Sequence, residues 1–190
     1  MASARHDRTS VIDCALRLLD AVGLPDLSMR RIANELEIQP SALYWHFASK
    51  QALLAGIADR ILIAVPDPDP AADLSQVAGA VLDALLTYRD GAEVVMSSYA
   101  LRLGTPRAQQ ALAAALGEGA PHVDVLADAA FEFIVGHAML LQQRMHAQSV
   151  GAVEPDGADP TAHSAAVFDA GIRALSGINR SVRVVDSRTR

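Results

Sequence analysis

The chain has 190 residues, enough for one ordinary domain or for a small domain of about 60 residues joined to a helical body. Hydrophobic residues make up 51% and charged residues 20%, with 12 Gly and 9 Pro, which excludes the disordered, collagen-like and disulfide-scaffold classes. The net charge of −6 is unevenly spread: residues 1–60 carry seven basic and seven acidic side chains, and the rest of the chain carries nine and fifteen. Nucleic-acid binders normally draw affinity from clustered Lys and Arg, so here the placement of charge would have to outweigh its total.

The stretch most like a membrane span, residues 123–141, is interrupted by Asp124, Asp128 and Glu132. The N-terminus opens on Ser3, Arg5, His6, Asp7 and Arg8 rather than on an apolar signal core, and a cytoplasmic protein is expected. Cys14, the single cysteine, lies inside an apolar helical repeat and reads as a buried structural thiol.

Along residues 9–22, Val11, Ile12, Ala15, Leu16, Leu19 and Val22 recur at three- and four-residue steps, the stripe of an amphipathic helix that Gly23 and Pro25 end. Ser28 is placed to cap a second helix with Ile32, Ala33 and Leu36 on one face. After the short stretch 37–39, Pro40 suits the first turn of a third helix, where its missing N–H has no helical partner to lose. Ser49 caps a fourth helix through Leu62. The run Pro66-Asp67-Pro68-Asp69-Pro70 cannot continue it, and marks either a domain boundary, with residues 1–64 before it and 65–190 after it, or a kinked connector. Residues 74–89, 93–103, 107–116, 123–148 and 162–178 follow as Ala- and Leu-rich helices. Residues 151–160 read as a loop and 183–190 as a frayed tail. No stretch alternates as a strand, so the expected fold is all-α.

Three short helices with a tight turn between the second and third describe either a small bundle or a helix-turn-helix, whose third helix enters the DNA major groove. The third helix favours the latter. Leu43 and Phe47 fill its buried face, and the adjacent Tyr44, Trp45 and His46 cannot all point inward at 100° per residue.

The run Leu27-Ser28-Met29-Arg30-Arg31-Ile32-Ala33, then Leu36, Ala42-Leu43-Tyr44-Trp45-His46-Phe47 and Ser49-Lys50 resembles the DNA-binding domain of the tetracycline repressor family. The likeness runs without gaps over residues 11–62, and its Leu-Tyr-Trp-His string is similar to the branch containing the tetracycline repressor itself. It implies a ligand-relieved repressor with a DNA-binding set of Ser28, Met29, Arg30, Gln39, Pro40, Ser41, Ala42, Tyr44, Trp45, His46 and Lys50. Within it, Arg30 would reach a base or phosphate, Pro40, Ser41 and Ala42 would approach base edges, and Tyr44, His46 and Lys50 would bind phosphate. The chemistry agrees, since Arg can hold guanine bidentately, small side chains admit thymine methyls, and hydroxyl, imidazole and ammonium groups donate to phosphate. The plainer readings are solvated charge for Arg30 and Lys50 and packing for the three rings. One departure stands in the turn, where the family usually has Gly and this chain has Glu37, so an altered or strained turn is expected.

A fainter likeness continues through Tyr88-Arg89-Asp90-Gly91-Ala92, Val135-Gly136-His137 and Phe168 with Gly171, Ile172, Leu175 and Gly177. It implies a C-terminal ligand-binding and dimerisation domain, with a homodimer formed through residues 123–148 and 162–178. Two family positions that hold a metal-chelated drug are Val95 and Met145 here, neither able to do so, which argues against metal-tetracycline although His137 matches a further pocket position. The expected pocket is Met96, Tyr99, Leu103, Phe131, Phe133, His137 and Gln142, with Met139 or Met145 as further candidates, suited to a largely apolar, uncharged ligand. Such residues at helical spacing also suit an ordinary core. Nothing calls for a cofactor or metal, and no G-x-S-x-G, H-E-x-x-H, phosphate-loop or dinucleotide fingerprint supports an enzyme. The remaining alternative is an effector-independent DNA-binding dimer or interaction protein.

Overall fold

The structure, a computed structural model, describes residues 6–117, 122–152 and 160–187, with side chains of the last stretch described over 163–177. Among the described residues it is all-α. The helices are α1 Arg8–Val22, α2 Met29–Glu35, α3 Pro40–His46, α4 Lys50–Ile61, α5 Leu74–Leu86, α6 Gly91–Ala100, α7 Arg107–Leu116, α8 Val123–Ser149 and α9 Pro160–Ser187, with a 3₁₀ turn at Leu62–Ala64. Two compact units divide them: Met1–Ile61 with Leu85–Thr105, and Leu62–Ala84 with Pro106–Arg190. The N-terminal stretch of the first unit ends close to the boundary expected at 64, but α6, expected in the C-terminal domain, packs on α4 within the first unit.

The first unit is built on the apolar stripe of α1. Asp7 caps that helix by accepting the Ser10 N–H at 2.8 Å, a bond that also lowers the pKa of its carboxyl group. Val11, Cys14, Ala15, Leu16 and Leu19 are buried on the inward face. Gly56 lets α4 approach closely, since a Cβ there would stand 3.1 Å from Ile12 Cδ1 and 3.2 Å from Phe47 Cε1. Cys14 is the buried thiol its setting implied, pushed up in pKa chiefly by desolvation.

Three carboxylates tie the later part of this unit to the earlier part. Asp20 accepts the Arg89 N–H at 2.9 Å and Asp90 accepts the Leu24 N–H at 2.8 Å. Asp59 on α4 accepts both the N–H and the hydroxyl of Thr105, at 2.7 and 2.9 Å. These ties explain two helix ends that periodicity misplaced. α5 stops at Leu86 rather than 89 because residues 87–90 form a turn held against α1, with Asp90 left-handed at φ 55. α6 stops at Ala100 rather than 103 because Arg102 and Gly104 take positive φ on the way to Asp59.

In the second unit, α8 packs against both α7 and α9. Arg107 fixes the connector by donating from Nε to the Val65 carbonyl at 2.9 Å and pairing with Asp67 at 2.9 Å. α9 begins at Pro160 and runs to Ser187, so its extent exceeds the expected 162–178, and the stretch expected to fray is helical through Ser187. Proline opens it as a first-turn residue. Of the expected loop, residues 151–152 are non-helical, and 153–159 lie outside the described residues, as do 188–190 of the tail.

Candidate nucleic-acid interface

The recognition segment is assembled from caps and one tight turn. Ser28 takes extended backbone geometry, and its Oγ accepts the Arg31 N–H at 3.2 Å, starting α2. At the other end Glu37 is left-handed, with φ 55, while Glu37 N–H and Ile38 N–H donate to the Asn34 and Ala33 carbonyls. This is the conformation for which glycine is suited, so the departure noted in the sequence falls on a left-handed residue. Pro40 then starts α3, and Gln39 before it makes no side-chain cap.

Helix α3 separates its rings cleanly. Leu43 and Phe47 are 0% and 1% exposed, whereas Tyr44 is 53% and Trp45 90% exposed. Ser41, Tyr44 and Trp45 share one outward face, with Gln39 and Arg30 also exposed and Pro40, Ala42, His46 and Lys50 half-buried. A packing role for Trp45 is thereby removed. Met29 differs from the rest of the expected set, its side chain being buried in the first turn of α2 at 9% exposure. The arrangement offers a guanidinium, hydroxyls, an indole, an imidazole and an ammonium around one short helix, a donor-rich surface suited to phosphates and base edges.

Arg8 makes a contact with this segment that no sequence pattern signals. Its Nη1 donates to the His46 carbonyl at 2.8 Å, and its guanidinium carbon lies 4.2 Å from the Phe47 ring centroid. A contact spanning 38 residues has no local pattern to announce it.

The expected ligand residues divide between the two units. Met96, Tyr99 and Leu103 lie on or just after α6 in the first, with Met96 and Leu103 exposed and Tyr99 half-buried. Phe131, Phe133, His137 and Gln142 lie on α8 in the second, with Phe131 fully buried and Phe133 and Gln142 half-buried. His137 is buried and shares a 3.1 Å hydrogen bond with Ser164 Oγ on α9, its ring 6.1 Å from Phe133 and 5.2 Å from Phe168 between centroids. Burial lowers its pKa below the ordinary 6.5, and the charge of Arg144 adds to the effect. Gln109 on α7, absent from the expected set, holds a buried side-chain oxygen with no hydrogen-bond partner. Val95 is buried and Met145 is 62% exposed.

Comparison with known proteins agrees with this geometry. The family model described as bacterial regulatory proteins, tetR family, matches residues 11–57. The class E tetracycline repressor protein of Escherichia coli is 32% identical over 178 residues, which cover 88% of this chain and 76% of that protein. The chain belongs to the TetR family. The class D repressor of Escherichia coli is 44% identical over 98 residues, 48% of this chain and 45% of that protein, so the chain spans about half the length of most curated relatives it matches. Among solved structures, BioQ of Mycobacterium smegmatis superposes with a TM-score of 0.79 at 31% identity, covering 94% of this chain and 99% of that one. BioQ in complex with its double-stranded DNA operator gives 0.75 at 29% identity, over 92% and 98% of the two chains. A TetR variant from Acinetobacter baumannii AYE in complex with minocycline gives 0.74 at 27% identity, over 94% and 99%.

Proposed function

We propose that this TetR-family chain is a homodimeric transcription regulator that binds operator DNA through α2 and α3 and is released from it by a small, largely apolar ligand. The observation that carries the reading is the exposure of Tyr44 and Trp45 on a helix seated by Leu43 and Phe47. Two large rings left in solvent on so short a helix have a purpose once a partner covers them. Operator binding by BioQ and minocycline binding by the Acinetobacter baumannii protein support the two halves of the proposal.

In this reading Ser28, Arg30, Gln39, Pro40, Ser41, Ala42, Tyr44, Trp45, His46 and Lys50 form the DNA surface. A helix of under two turns reads few base pairs, so two copies at half-sites one DNA turn apart are needed for discrimination. The second unit offers a means of pairing. Val125, Ala129, Gly136 and Leu140 form an exposed stripe on α8, and Ala166, Val167, Ala170 and Ala174 form another on α9. Small residues there let a second copy's helices approach closely. Phe131, Phe133, His137 and Gln142 on α8 are the residues we assign to the ligand, with Gln109 on α7 as an added acceptor. Its unsatisfied oxygen favours a ligand with a hydrogen-bond donor. Val95 and Met145 cannot replace metal-holding groups, so the ligand is not a metal-chelated drug. Among the described residues no helix is long and apolar enough to cross a membrane, in keeping with action on DNA in the cytoplasm.

The test is a mobility shift with the DNA upstream of the chain's own gene at two salt concentrations. The full chain should bind tightly and with strong salt dependence, and Arg30→Ala combined with Tyr44→Ala should weaken it about 100-fold, two such contacts being worth roughly 1–3 kcal/mol each. No shift on any upstream fragment would defeat the proposal. Because coupling is reciprocal, a ligand that weakens DNA binding must itself bind less well to the DNA complex.

A further inference from the structure

We infer that Arg8 is a positioning residue of the recognition helix, a clamp that fixes the C-terminal end of α3 against the start of α1 and so sets how its outward residues are presented.

Helix α3 has seven residues, too few to hold its own shape, and its entry lacks a side-chain cap. At its exit the last carbonyls have no intrahelical partner. Arg8 meets that deficit twice over. One N–H satisfies the His46 carbonyl at 2.8 Å, and the planar cation lies 4.2 Å from the Phe47 ring centre. The carbonyl contact restrains the helix along its axis, while the contact with a ring that is itself buried restrains its rotation. A positive charge at this end also meets the negative pole of the helix.

The clamp is anchored at its other end. Arg8 is the first residue of α1, whose start is fixed by the Asp7 carboxylate on the Ser10 N–H. An exposed arginine beside a DNA-reading helix would ordinarily be taken for a phosphate contact. Here its geometry is committed to α3, and lysine could not reproduce it, having a point charge in place of a flat, delocalised fork.

The consequence for DNA rests on the operator-binding proposal, but the clamp itself is testable without DNA. Full-length protein, Arg8→Met and Arg8→Lys would be compared by amide hydrogen exchange over residues 40–49, with a peptide of α8 as the internal control. Both variants should exchange about five to ten times faster over 40–49 and not in α8, the loss of one net hydrogen bond and one exposed cation–π contact. Operator affinity should fall by the same factor in both, with the slope of log affinity against log salt unchanged. Two results would overturn the inference: wild-type exchange in both variants, or full recovery of exchange and affinity by Arg8→Lys. A salt slope lowered by about one in Arg8→Met, with exchange unaltered, would make Arg8 a phosphate contact and likewise defeat the clamp. Should wild type bind no operator fragment, the functional proposal fails while the exchange data still decide the clamp.

Discussion

Helix α3 and the seam between α8 and α9 each gather aromatic rings, and they use them in opposite ways. On α3, Phe47 is sealed from solvent while Trp45, two residues earlier, is almost fully exposed. At the seam, Phe133, His137 and Phe168 turn toward one another, with Phe133 and Phe168 stacked at 6.0 Å, and the one polar ring has found Ser164. The first arrangement turns ring surface outward, and the second turns it inward, with Phe133 only half-buried among its neighbours. Similar residue types therefore form an outward face in one unit and an inward cluster in the other, and burial rather than composition tells them apart.

The contrast can be strained from both sides. Phe47→Ala should produce the largest effect, a loss of about 3–5 kcal/mol of stability by denaturant titration, because it empties the seat of α3. A loss below 1 kcal/mol would show that the recognition helix does not depend on that ring. Gly171→Ala places a Cβ onto the Phe133 ring across the seam, and should cost about 1–3 kcal/mol as the ring shifts. An unchanged melting temperature would mean the seam is looser than its ring contacts imply.

Protonation offers a finer probe. Burial depresses the His137 pKa, so the unfolded chain binds the proton more readily than the folded one. The stability this group contributes is present above the ordinary value of 6.5 and is lost as pH falls from there through the depressed folded value. Wild type should accordingly lose more thermal stability on acidification than His137→Gln, which can keep a hydrogen bond to Ser164 but does not titrate. Parallel pH curves for the two proteins would remove His137 from the joint. Trp45→Ala closes the series with the smallest expected change, within about 0.5 kcal/mol of wild-type stability, since the indole makes so little contact with its own chain. The same substitution should still weaken operator binding, which separates an interface ring from a structural one.

Much of the recognition segment could be read from local sequence, because its determinants are local. Ser28, Pro40 and Ser49 act within three residues of themselves, and the alternation of Leu43 and Phe47 with Tyr44 and Trp45 follows from helix geometry. The left-handed residue at Glu37 was visible as a departure from a pattern. What escaped depends on residues far apart in the chain. Arg8 reaches across 38 residues, and Asp20 and Asp90 reach across 69 and 66, so α6 joins the first unit through partners that no window of sequence contains. The burial of Met29 is not legible for a related reason, since the likeness to a family conveys which positions border DNA but not which side chain turns inward. The ligand residues were least legible, because an apolar pocket and an apolar core are written with the same letters.

The three carboxylate ties also impose an order on synthesis. Asp20 and Asp59 emerge from the ribosome long before the partners they hold, with Arg89 following 69 residues after the first and Thr105 following 46 after the second. The first unit is therefore begun early and finished late: α1 to α4 can form as they emerge, but the surface of α4 awaiting α6 stays bare until α6 follows it. A nascent chain halted near the proline run would carry a complete recognition helix on a platform still missing its last wall.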